Sequence, residues 1–309
     1  LRGRWKGPEM FSVVVAVYNG SSVIERCLGS LLAQECREGL EIIVVDNGSS
    51  DGTPGIVRER FPRVRLLEKG GNLGAAAARN LGISASRGEW VFTFDCDTAA
   101  GKGFFSAVEC LIDAAEGPRA GVIQPLILDA EGREVFSCGI ALDFFWRFND
   151  IDRGERCGKR RNNPARIDAA CSACAGYRRR MLEEIKDGYG YFDERFFFMV
   201  EDVDLGVRAK AAGWTTAFCP GATAYHSGNS SAFSCLERQY FCWRNRKFML
   251  KKMKKPLLRA CAAALCYDLP RDAGLFFSNY YMRRAVLSGR YDNPLCDIFA
   301  NRKAKCLLV

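Results

Sequence analysis

The stretch that decides the fold is Trp90-Val91-Phe92-Thr93-Phe94-Asp95-Cys96-Asp97-Thr98. It is apolar, β-branched and aromatic up to Phe94, and it then meets two carboxylates. A strand buried on both faces of a parallel sheet reads as such a continuous apolar run, so the stretch predicts a central strand. Ligands of open α/β sheets bind just beyond the carboxyl ends of these strands. A functional site at the end of this strand would therefore include Asp95 and Asp97.

Side chains alternate along an extended chain, which predicts that Asp95 and Asp97 face one side and Cys96 the other. Two carboxylates on one side offer hard oxygen ligands that suit Mg²⁺ or Mn²⁺ beside the phosphates of a substrate. Aspartate is also common at solvated strand ends, so the pair by itself leaves both interpretations open.

Strand and helix patterns alternate around this stretch. Apolar runs predict strands at Phe11 to Val17, Glu41 to Asp46 and Val64 to Leu67. The turn-rich clusters Asn47 to Gly52 and Gly70 to Gly74 each precede a helical pattern. This order predicts an α/β fold with a mostly parallel, doubly wound sheet flanked by helices.

The alternation stops between Asp129 and Arg166, where we expect a mobile surface loop. A helix is predicted from Glu201 to Ala212. Two short strands are predicted after it, at Trp214 to Cys219 and at Ala222 to His226.

Length and composition fit one large α/β domain with additions or two small domains. The chain has 309 residues, of which 48% are hydrophobic and 26% charged. Its formal charge of +9 favours anionic partners such as nucleotides or an acidic membrane surface. Nucleic acid is not expected, because no arginine-rich tract interleaved with aromatics has the spacing of a known module.

Fifteen cysteines are scattered along the chain, and no signal-peptide core precedes them. We therefore expect reduced, buried thiols and a cytoplasmic protein. The pair Cys171 and Cys174 lacks the second CxxC that a four-ligand zinc site needs. No apolar run approaches the roughly 20 residues that span a bilayer.

Carboxylates follow three of the segments: Asp46, the Asp95 and Asp97 pair, and the cluster Glu201-Asp202-Val203-Asp204. The single histidine, His226, ends a short apolar run. A lone histidine is often a core or surface residue. A neutral imidazole is nevertheless a good ligand for Mn²⁺-class metals and could join Asp97.

Six segments together resemble glycosyltransferase family 2, in the order and at the spacing of that family. They are VVVAVYNG (13–20), EIIVVDNGSSDGT (41–53), GNLGAAAARNLG (71–82), FDCD (94–97), FDERFFFMVEDVDLGVRAKAAGW (192–214) and AYH (224–226). The likeness extends to the bacterial rhamnosyltransferase-like branch that decorates surface polysaccharides. It implies the GT-A fold and inverting transfer of a sugar from a nucleotide donor, a UDP-sugar or dTDP-rhamnose, to a saccharide or lipid-linked acceptor.

The resemblance also implies roles for the matching residues. Asp95, Asp97 and His226 would ligate a divalent cation, Mn²⁺ or Mg²⁺, that neutralises charge developing on the leaving diphosphate. Asp202 would be the general base that takes a proton from the acceptor hydroxyl. Glu201 would support the site. The nucleotide sugar would be bound by Val17, Tyr18, Asn19, Asp46, Arg79, Asp95 and Cys96.

Plainer interpretations stay open for several of these residues. Asp202 and Asp204 could be acids at a helix N-terminus that interact with the helix dipole. Arg79 could lie on a helix surface, and Asp51 is expected to be a turn or cap residue. Gly206, inside the predicted helix, costs about 1 kcal/mol relative to alanine, which indicates close packing there.

We expect an N-terminal extension at 1–10, the catalytic domain at 11–230 and a basic, mostly helical extension at 231–309. Residues 238–259 interleave basic and aromatic side chains. This segment either packs as a helix with solvated lysines or lies on an anionic membrane, which would place the protein at the inner face of that membrane.

Other functions have distinct requirements. A sugar-phosphate nucleotidyltransferase should carry a Gly-rich loop with Arg and Lys after the first strand, and YNGSSV (18–23) is not one. A nicotinamide-dependent oxidoreductase needs GxGxxG there, which is absent. A non-catalytic nucleotide- or membrane-binding protein with the same fold is the remaining alternative.

Overall fold

A computed structural model describes residues 11–37, 39–114, 119–159, 164, 166–228, 233–253 and 255–288. The expected extension at 1–10, residues 160–163 and 165 of the expected loop, and residues 289–309 lie outside these ranges. The described chain divides into two compact units. The first comprises 11–141, 148–197 and 201–228, and the second 142–147, 198–200 and 233–288.

Strands and helices alternate in the first part of the chain. They are β1 (Phe11–Val17), α1 (Ile24–Leu32), β2 (Leu40–Asp46), α2 (Thr53–Arg60), β3 (Arg65–Glu68), α3 (Ala75–Ala85) and β4 (Trp90–Asp95). The elements that follow are β5 (Thr98–Ala100), α4 (Phe104–Ala114), β6 (Ala120–Asp129), β7 (Val135–Ser137), β8 (Ile140–Leu142), β9 (Phe148–Asp150), β10 (Cys174–Arg178), α5 (Arg179–Ile185), α6 (Glu201–Ala211) and β11 (Thr215–His226). Short 3₁₀ turns lie at Cys157–Lys159 and Glu194–Phe196.

The main sheet has the order β3-β2-β1-β4-β10-β6-β11-β5, with β7 on β6. Strands β3, β2, β1 and β4 are parallel, as predicted. Strand β10 runs antiparallel to β4 and to β6, and β11 is parallel to β6 and antiparallel to β5. The half of the sheet that contains β10, β6, β11 and β5 therefore combines parallel and antiparallel pairs, whereas a mostly parallel sheet was predicted. A parallel neighbour needs a crossover connection, and the described residues between β6 and β10 form short strands in place of a crossover helix.

Two predictions about the later part of the chain need correction. The expected loop at 129–166 contains β7, β8 and β9 among its described residues. The two strands predicted at 214–219 and 222–226 form one strand, β11, because a register shift against β6 between Cys219 and Thr223 accommodates Pro220. Proline cannot donate a ladder hydrogen bond, so it is tolerated at such an irregularity.

The core fixes the position of β4. On one face of the sheet Phe11, Phe92, Phe94, Phe104 and Phe105 form an aromatic cluster with ring centroids 5.0–5.9 Å apart. The other face packs against α3, α5 and α6, and its buried residues include Val14, Ile43, Val91, Ile83, Met181 and Leu205. Strand β4 is thus buried on both faces, as its apolar run predicts.

The second unit is helical. It contains α7 (Cys235–Lys252), α8 (Leu257–Ala263), a π-helical turn (Ala264–Asp268), α9 (Leu269–Ser278) and α10 (Tyr280–Ser288). A capping box of Ser234 and Glu237 starts α7. Among the aromatic residues predicted to interleave with charges, Tyr240, Phe241 and Trp243 are buried. Helix α7 therefore packs within its unit and leaves Lys251 exposed, which is the first of the two arrangements considered for 238–259.

Within the described residues, no helix combines the length and the apolar character that crossing a membrane requires.

Candidate functional site

Strands β2, β1 and β4 end at the same level of the sheet. Val17 pairs with Asp46, and Ala16 pairs with Asp95. Neighbouring strands lie about 4.8 Å apart, so Asp46 and Asp95 flank the end of β1 at a separation of roughly 10 Å. The chain moves from β1 to β2 on one side and reaches β4 on the other. This reversal is a topological switch point, the place where open α/β sheets bind ligands.

The loops after β1 and β2 are joined by hydrogen bonds. Asn19 has a left-handed backbone (φ 54°), and its N–H donates to Ser49 Oγ at 2.8 Å. The Asn19 side-chain oxygen accepts from the Ser50 N–H at 2.9 Å. Tyr18 lies half-buried in the same loop, next to Val17. The predicted residues 17–19 therefore stand beside the loop that follows Asp46.

Asp46 is buried, and its two carboxylate oxygens differ in their hydrogen bonding. Its Oδ2 accepts from the backbone N–H groups of Gly48 (3.1 Å) and Ser49 (3.0 Å). Its Oδ1 is buried and has no hydrogen-bond partner among the described residues. A buried unsatisfied acceptor costs about 1–3 kcal/mol, so Oδ1 is suited to accept from a ligand.

Asp51 is a turn residue, as predicted. It accepts from the Ser21 N–H at 2.9 Å and from the Thr53 N–H and hydroxyl at 3.1 and 2.5 Å. Burial opposes the charge, but these hydrogen bonds outweigh it and lower the pKa of Asp51 to about 2.

Sequence reasoning missed Asn47. Its side-chain nitrogen donates to Asn72 Oδ1 at 2.9 Å and to the Gly74 carbonyl at 3.1 Å, and its Oδ1 accepts from the Leu73 N–H at 3.0 Å. Asn47 therefore ties the loop after β2 to the loop before α3. Its place in a turn cluster was the only signal for it.

Asp95, Asp97 and His226 come together, as predicted. The His226 Nε2 lies 3.7 Å from Asp97 Oδ1 and 3.8 Å from Asp95 Oδ2. Within the described ranges, this is the one group of three or more His, Cys, Asp or Glu side chains placed to hold a metal ion, with ligand atoms within 4.8 Å of one another. Asp95 and Asp97 do not come together by the side-chain alternation along a single strand that the sequence predicted. Strand β4 ends at Asp95, a turn carries Asp97, and β5 then places Thr98 opposite His226 on β11.

The donor atoms of this group fit a divalent cation. Both carboxylate oxygens of Asp97 and the Nδ1 of His226 are buried without a hydrogen-bond partner in the described chain. An unpaired buried carboxylate is unfavourable, and carboxylate with imidazole suits Mn²⁺-class metals. Phe136 stacks on the imidazole with ring centroids 4.4 Å apart and orients it. Nothing in the sequence indicated this contact.

Cys96 is buried, and its side chain packs against the loop after β1. A Cβ placed on Gly20 would lie 2.6 Å from the Val17 Cγ2 and 3.2 Å from the Cys96 Sγ, so a larger residue there would displace the Val17 side chain and press on Cys96. The other cysteines of interest, Cys171 and Cys174, are also buried. Burial raises the pKa of both thiols well above the ordinary value, which keeps them neutral.

Arg79 is buried on α3 between two carboxylates, so the helix-surface interpretation is wrong. Its guanidinium donates to Glu201 Oε1 at 2.5 Å and to Asp95 Oδ1 at 2.8 Å. Burial opposes its charge, but Asp95 and Glu201 outweigh burial and raise the Arg79 pKa. The ion pairs orient Asp95 and give Glu201 the supporting place that was expected.

Asp202 lies in the first turn of α6. Its Oδ2 accepts from the Ser172 N–H (3.1 Å) and hydroxyl (3.2 Å), and its Oδ1 accepts from the Val203 N–H (2.8 Å). Ser172 adjoins Ala173, whose carbonyl accepts from the Asp95 N–H at 3.0 Å. This connection places Asp202 next to the end of β4.

The environment of Asp202 suits proton transfer. Burial raises the pKa of Asp202 to about 7, and the negative charge of Glu201 adds to the rise, while Ser172 and Arg79 oppose it. A carboxyl group with a pKa near neutrality is well matched to general base catalysis. Asp204 differs, because it pairs with Arg208 at 2.8 Å and so stabilises the helix.

Residues 12–186, more than half of the chain, match the family described as Glycosyl transferase family 2. The chain belongs to glycosyltransferase family 2. An N-acetylglucosaminyl-diphospho-decaprenol L-rhamnosyltransferase of Mycobacterium tuberculosis is 33% identical over 242 residues, which are 71% of this chain and 76% of the relative. An N-acetylglucosaminyltransferase of Azorhizobium caulinodans is 28% identical over 222 residues, 69% of this chain and 53% of that protein.

Solved glycosyltransferases share the fold of this family 2 member. A mannosyltransferase from Pyrobaculum calidifontis in complex with GDP-Man and Mn²⁺ superposes with a TM-score of 0.57 at 18% identity, covering 99% of this chain and 84% of that one. S. aureus TarS 1-349 with UDP-GlcNAc gives 0.55 at 20% identity, covering 87% and 73%. This chain spans 44% of the longer TarS structure. The predicted family and GT-A fold are confirmed.

Proposed function

We propose that this protein is a metal-dependent, inverting glycosyltransferase that moves a sugar from a nucleoside-diphosphate donor to a saccharide or lipid-linked acceptor in surface polysaccharide synthesis. One observation carries the proposal. The metal-type donor atoms of Asp97 and His226, which lack a hydrogen-bond partner in the part of the chain that the structure describes, lie at the end of β4. The general-base candidate Asp202 is joined to the same strand end through Ser172.

The donor nucleotide would occupy the switch point. Asp46 Oδ1 would accept a hydrogen bond from the base or ribose, beside the backbone of residues 17–19. Asp95, Asp97 and His226 would hold a divalent cation, which when bound neutralises charge on the departing diphosphate. Arg79 would keep Asp95 oriented and add positive charge near the diphosphate.

The acceptor would approach Asp202. Its carboxylate would take the hydroxyl proton as the acceptor oxygen attacks the anomeric carbon from the face opposite the leaving group, which inverts the configuration. The two hydrogen bonds from Ser172 fix the position of the carboxylate. Burial keeps its pKa near 7, where it is basic enough to accept a proton and still ionised in part.

The activities for which the relatives are named suggest the substrates. The mycobacterial relative is named for L-rhamnosyl transfer to a polyprenyl-linked N-acetylglucosamine, and the solved neighbours hold UDP-GlcNAc or GDP-Man. We propose dTDP-rhamnose or a UDP-sugar as the donor. The nucleotide sugar would be drawn from the cytoplasm.

The decisive experiment measures release of nucleoside diphosphate from a panel of nucleotide sugars, with Mn²⁺, with Mg²⁺ and with a chelator. The Asp97→Ala and Asp202→Asn variants are assayed beside the unmodified protein. We expect metal-dependent release from one donor, lost in both variants. Asp204→Asn is the matched control, because it changes a carboxylate of the same helix turn that serves Arg208, and it should retain release.

Binding assays distinguish a wrong site assignment from a protein that binds nucleotide without catalysing transfer. Nucleotide binding that ignores both metal and the two substitutions would contradict the site assignment. Metal-dependent nucleotide binding without turnover of any donor, even with polyprenyl-linked and free saccharide acceptors present, would contradict the enzyme proposal and favour a binding protein.

A further inference from the structure

The helical segment 257–278 of the second unit, formed by α8, the π-helical turn and α9, presents an apolar side to solvent. We call its exposed residues the outer face. They are Leu257, Leu258, Cys261, Leu265, Cys266, Leu269, Pro270, Ala273, Gly274, Phe277 and Ser278. None of these residues carries a charge.

Three of the four charged residues of the segment bind other residues of the second unit, and the fourth, Arg271, is half-buried and lies over the ring of Tyr267. Asp268 pairs with Arg246 at 2.8 Å, and Asp272 pairs with Lys247 at 2.6 Å. Arg259 donates to the carbonyls of residues 143 and 144. A helix on the surface of a water-soluble domain turns its apolar stripe inward and its charges outward. This segment does the reverse.

The outer face is also large. Leu258, Leu265, Leu269 and Phe277 are 86%, 66%, 58% and 78% exposed. A helical segment of this length extends about 30 Å at 1.5 Å per residue. Single exposed leucines are ordinary, but a contiguous apolar surface of this extent marks an interaction site.

Basic residues flank the segment of the outer face in the sequence. Lys251, Lys252 and Lys255 precede it, and Arg283 and Arg284 follow it. In the same unit Arg244, Lys247, Lys251, Asp272 and Phe276 line a cleft of about 500 Å³, in which cations outnumber the one carboxylate named here. An anionic bilayer offers both partners that this pattern needs, an apolar interior for the leucines and negative headgroups for the cations. A symmetric contact with a second copy would instead bring like charges together.

We propose that the outer face inserts into the headgroup region of an anionic membrane and holds the protein at that surface. The membrane-binding segment is then 257–278 and not the 238–259 segment considered from sequence, of which Tyr240, Phe241 and Trp243 are buried. This proposal rests on the second unit alone and does not depend on the reaction proposed for the first.

Native cysteines provide the test. Cys261 and Cys266 lie on the outer face, whereas Cys110 and Cys235 are exposed elsewhere. The unmodified protein is labelled with a water-soluble maleimide, and each site is quantified by peptide mass spectrometry. Labelling is done alone, with phosphatidylcholine vesicles, and with vesicles of equal parts phosphatidylglycerol and phosphatidylcholine.

We expect Cys261 and Cys266 to react in the free protein and to react about tenfold more slowly with the anionic vesicles only, while Cys110 and Cys235 are unaffected. Flotation with the anionic vesicles should be lost in a Leu265→Asp, Leu269→Asp double variant and retained in Leu236→Asp, a matched change at an exposed leucine outside the face.

Three results would overturn the proposal. Unreactive Cys261 and Cys266 in dilute free protein would mean that another part of this chain covers the face. Protection that grows with protein concentration in the absence of lipid would identify the face as a contact between copies. Equal labelling with and without anionic vesicles would exclude insertion.

Discussion

At the scale of single residues, the site depends on carboxylates with different partners. Asp204 is neutralised by Arg208, Asp95 shares the single charge of Arg79 with Glu201, and the Asp97 oxygens have no hydrogen-bond partner among the described residues. Asp202 is held by neutral donors of Ser172 and by a backbone N–H, and burial raises its pKa to about 7. These differences in environment, and not residue type, separate base, metal ligand and structural acid.

The raised pKa of Asp202 predicts the pH dependence of the reaction. Because a base acts when it is deprotonated, kcat should rise with pH and level off above about 7. Asp202→Asn should lose about 10²–10⁴-fold in kcat at pH 8. Steady-state rates with saturating donor between pH 5.5 and 8.5 test this. A plateau already reached at pH 5.5 would contradict the assignment.

The same pKa predicts an effect on stability. The folded state binds a proton at Asp202 between its ordinary pKa and about 7, so this group lowers stability as pH rises through that window. Asp202→Asn should therefore raise Tm at pH 8, with a smaller gain at pH 5. Asp204→Asn breaks an ion pair and should lower Tm at both values. Calorimetry measures both, and a lower Tm for Asp202→Asn at pH 8 would contradict the prediction.

The unsatisfied oxygens of Asp97 predict the response to metal. Mn²⁺ should raise the Tm of the unmodified protein, and a chelator should reverse the rise. Asp97→Asn should abolish this response, because it removes the most buried anion of the group. Asp51→Asn alters a hydrogen-bonded turn aspartate and serves as the control. Equal Mn²⁺ responses in the two variants would exclude the proposed metal site.

At the scale of elements, close packing positions α6 and thereby Asp202. A Cβ at Gly206 would lie 2.4 Å from the Ala169 Cβ and 2.7 Å from the Asp168 carbonyl oxygen. The sequence indicated close packing at this glycine, and the geometry confirms it. The helix can approach the segment before Ser172 only because Gly206 has no side chain.

Gly206→Ala should destabilise the protein by about 1–2 kcal/mol, since overpacking outweighs the gain of about 1 kcal/mol in helix propensity. Gly29 lies within α1, where an added Cβ would meet no atom within 4 Å. Gly29→Ala therefore changes helix propensity without overpacking, and it should be neutral or stabilising. Urea denaturation of both variants gives the comparison. Stabilisation by Gly206→Ala would show that the packing has room to relax.

At the scale of the whole molecule, the candidate site is assembled from distant parts of the first unit. Asp46 comes from β2, Arg79 from α3, Asp97 from the turn after β4, and His226 from the end of β11. The parallel strands bring Asp46 and the end of β4 to one edge of the sheet. The pairing of β5 with β11 brings His226 to the same edge.

Because different residues would bind the metal and the nucleotide, a substitution should be able to remove nucleotide binding and leave metal binding intact. UDP or dTDP, whichever is the donor nucleotide, should raise Tm strongly only with Mn²⁺ present, and saturation at 100 times Kd corresponds to about 2.7 kcal/mol. Asp46→Ala should lose the nucleotide response and keep the response to Mn²⁺ alone. Thermal shift measurements with each ligand singly and together are sufficient. Loss of both responses would contradict separate roles.

The sequence by itself determined the first four parallel strands, the α/β class, the family and the residues at the ends of those strands. Apolar periodicity and turn composition are local properties, and the carboxyl ends of parallel strands meet at one edge wherever the crossovers are right-handed. For that reason the sequence places Asp46, Asp95 and Asp97 at the same edge of the sheet.

Only the tertiary structure decided which groups touch. The ion pairs of Arg79, the bond between Ser172 and Asp202, the ring of Phe136 on His226 and the antiparallel strand β10 join segments far apart in sequence. A partner, a depth of burial and the resulting pKa are properties of three-dimensional contacts, and nearest neighbours in the chain carry little information about them. The same holds for the outer face of 257–278, whose apolar side is directed outward by ion pairs on its other side.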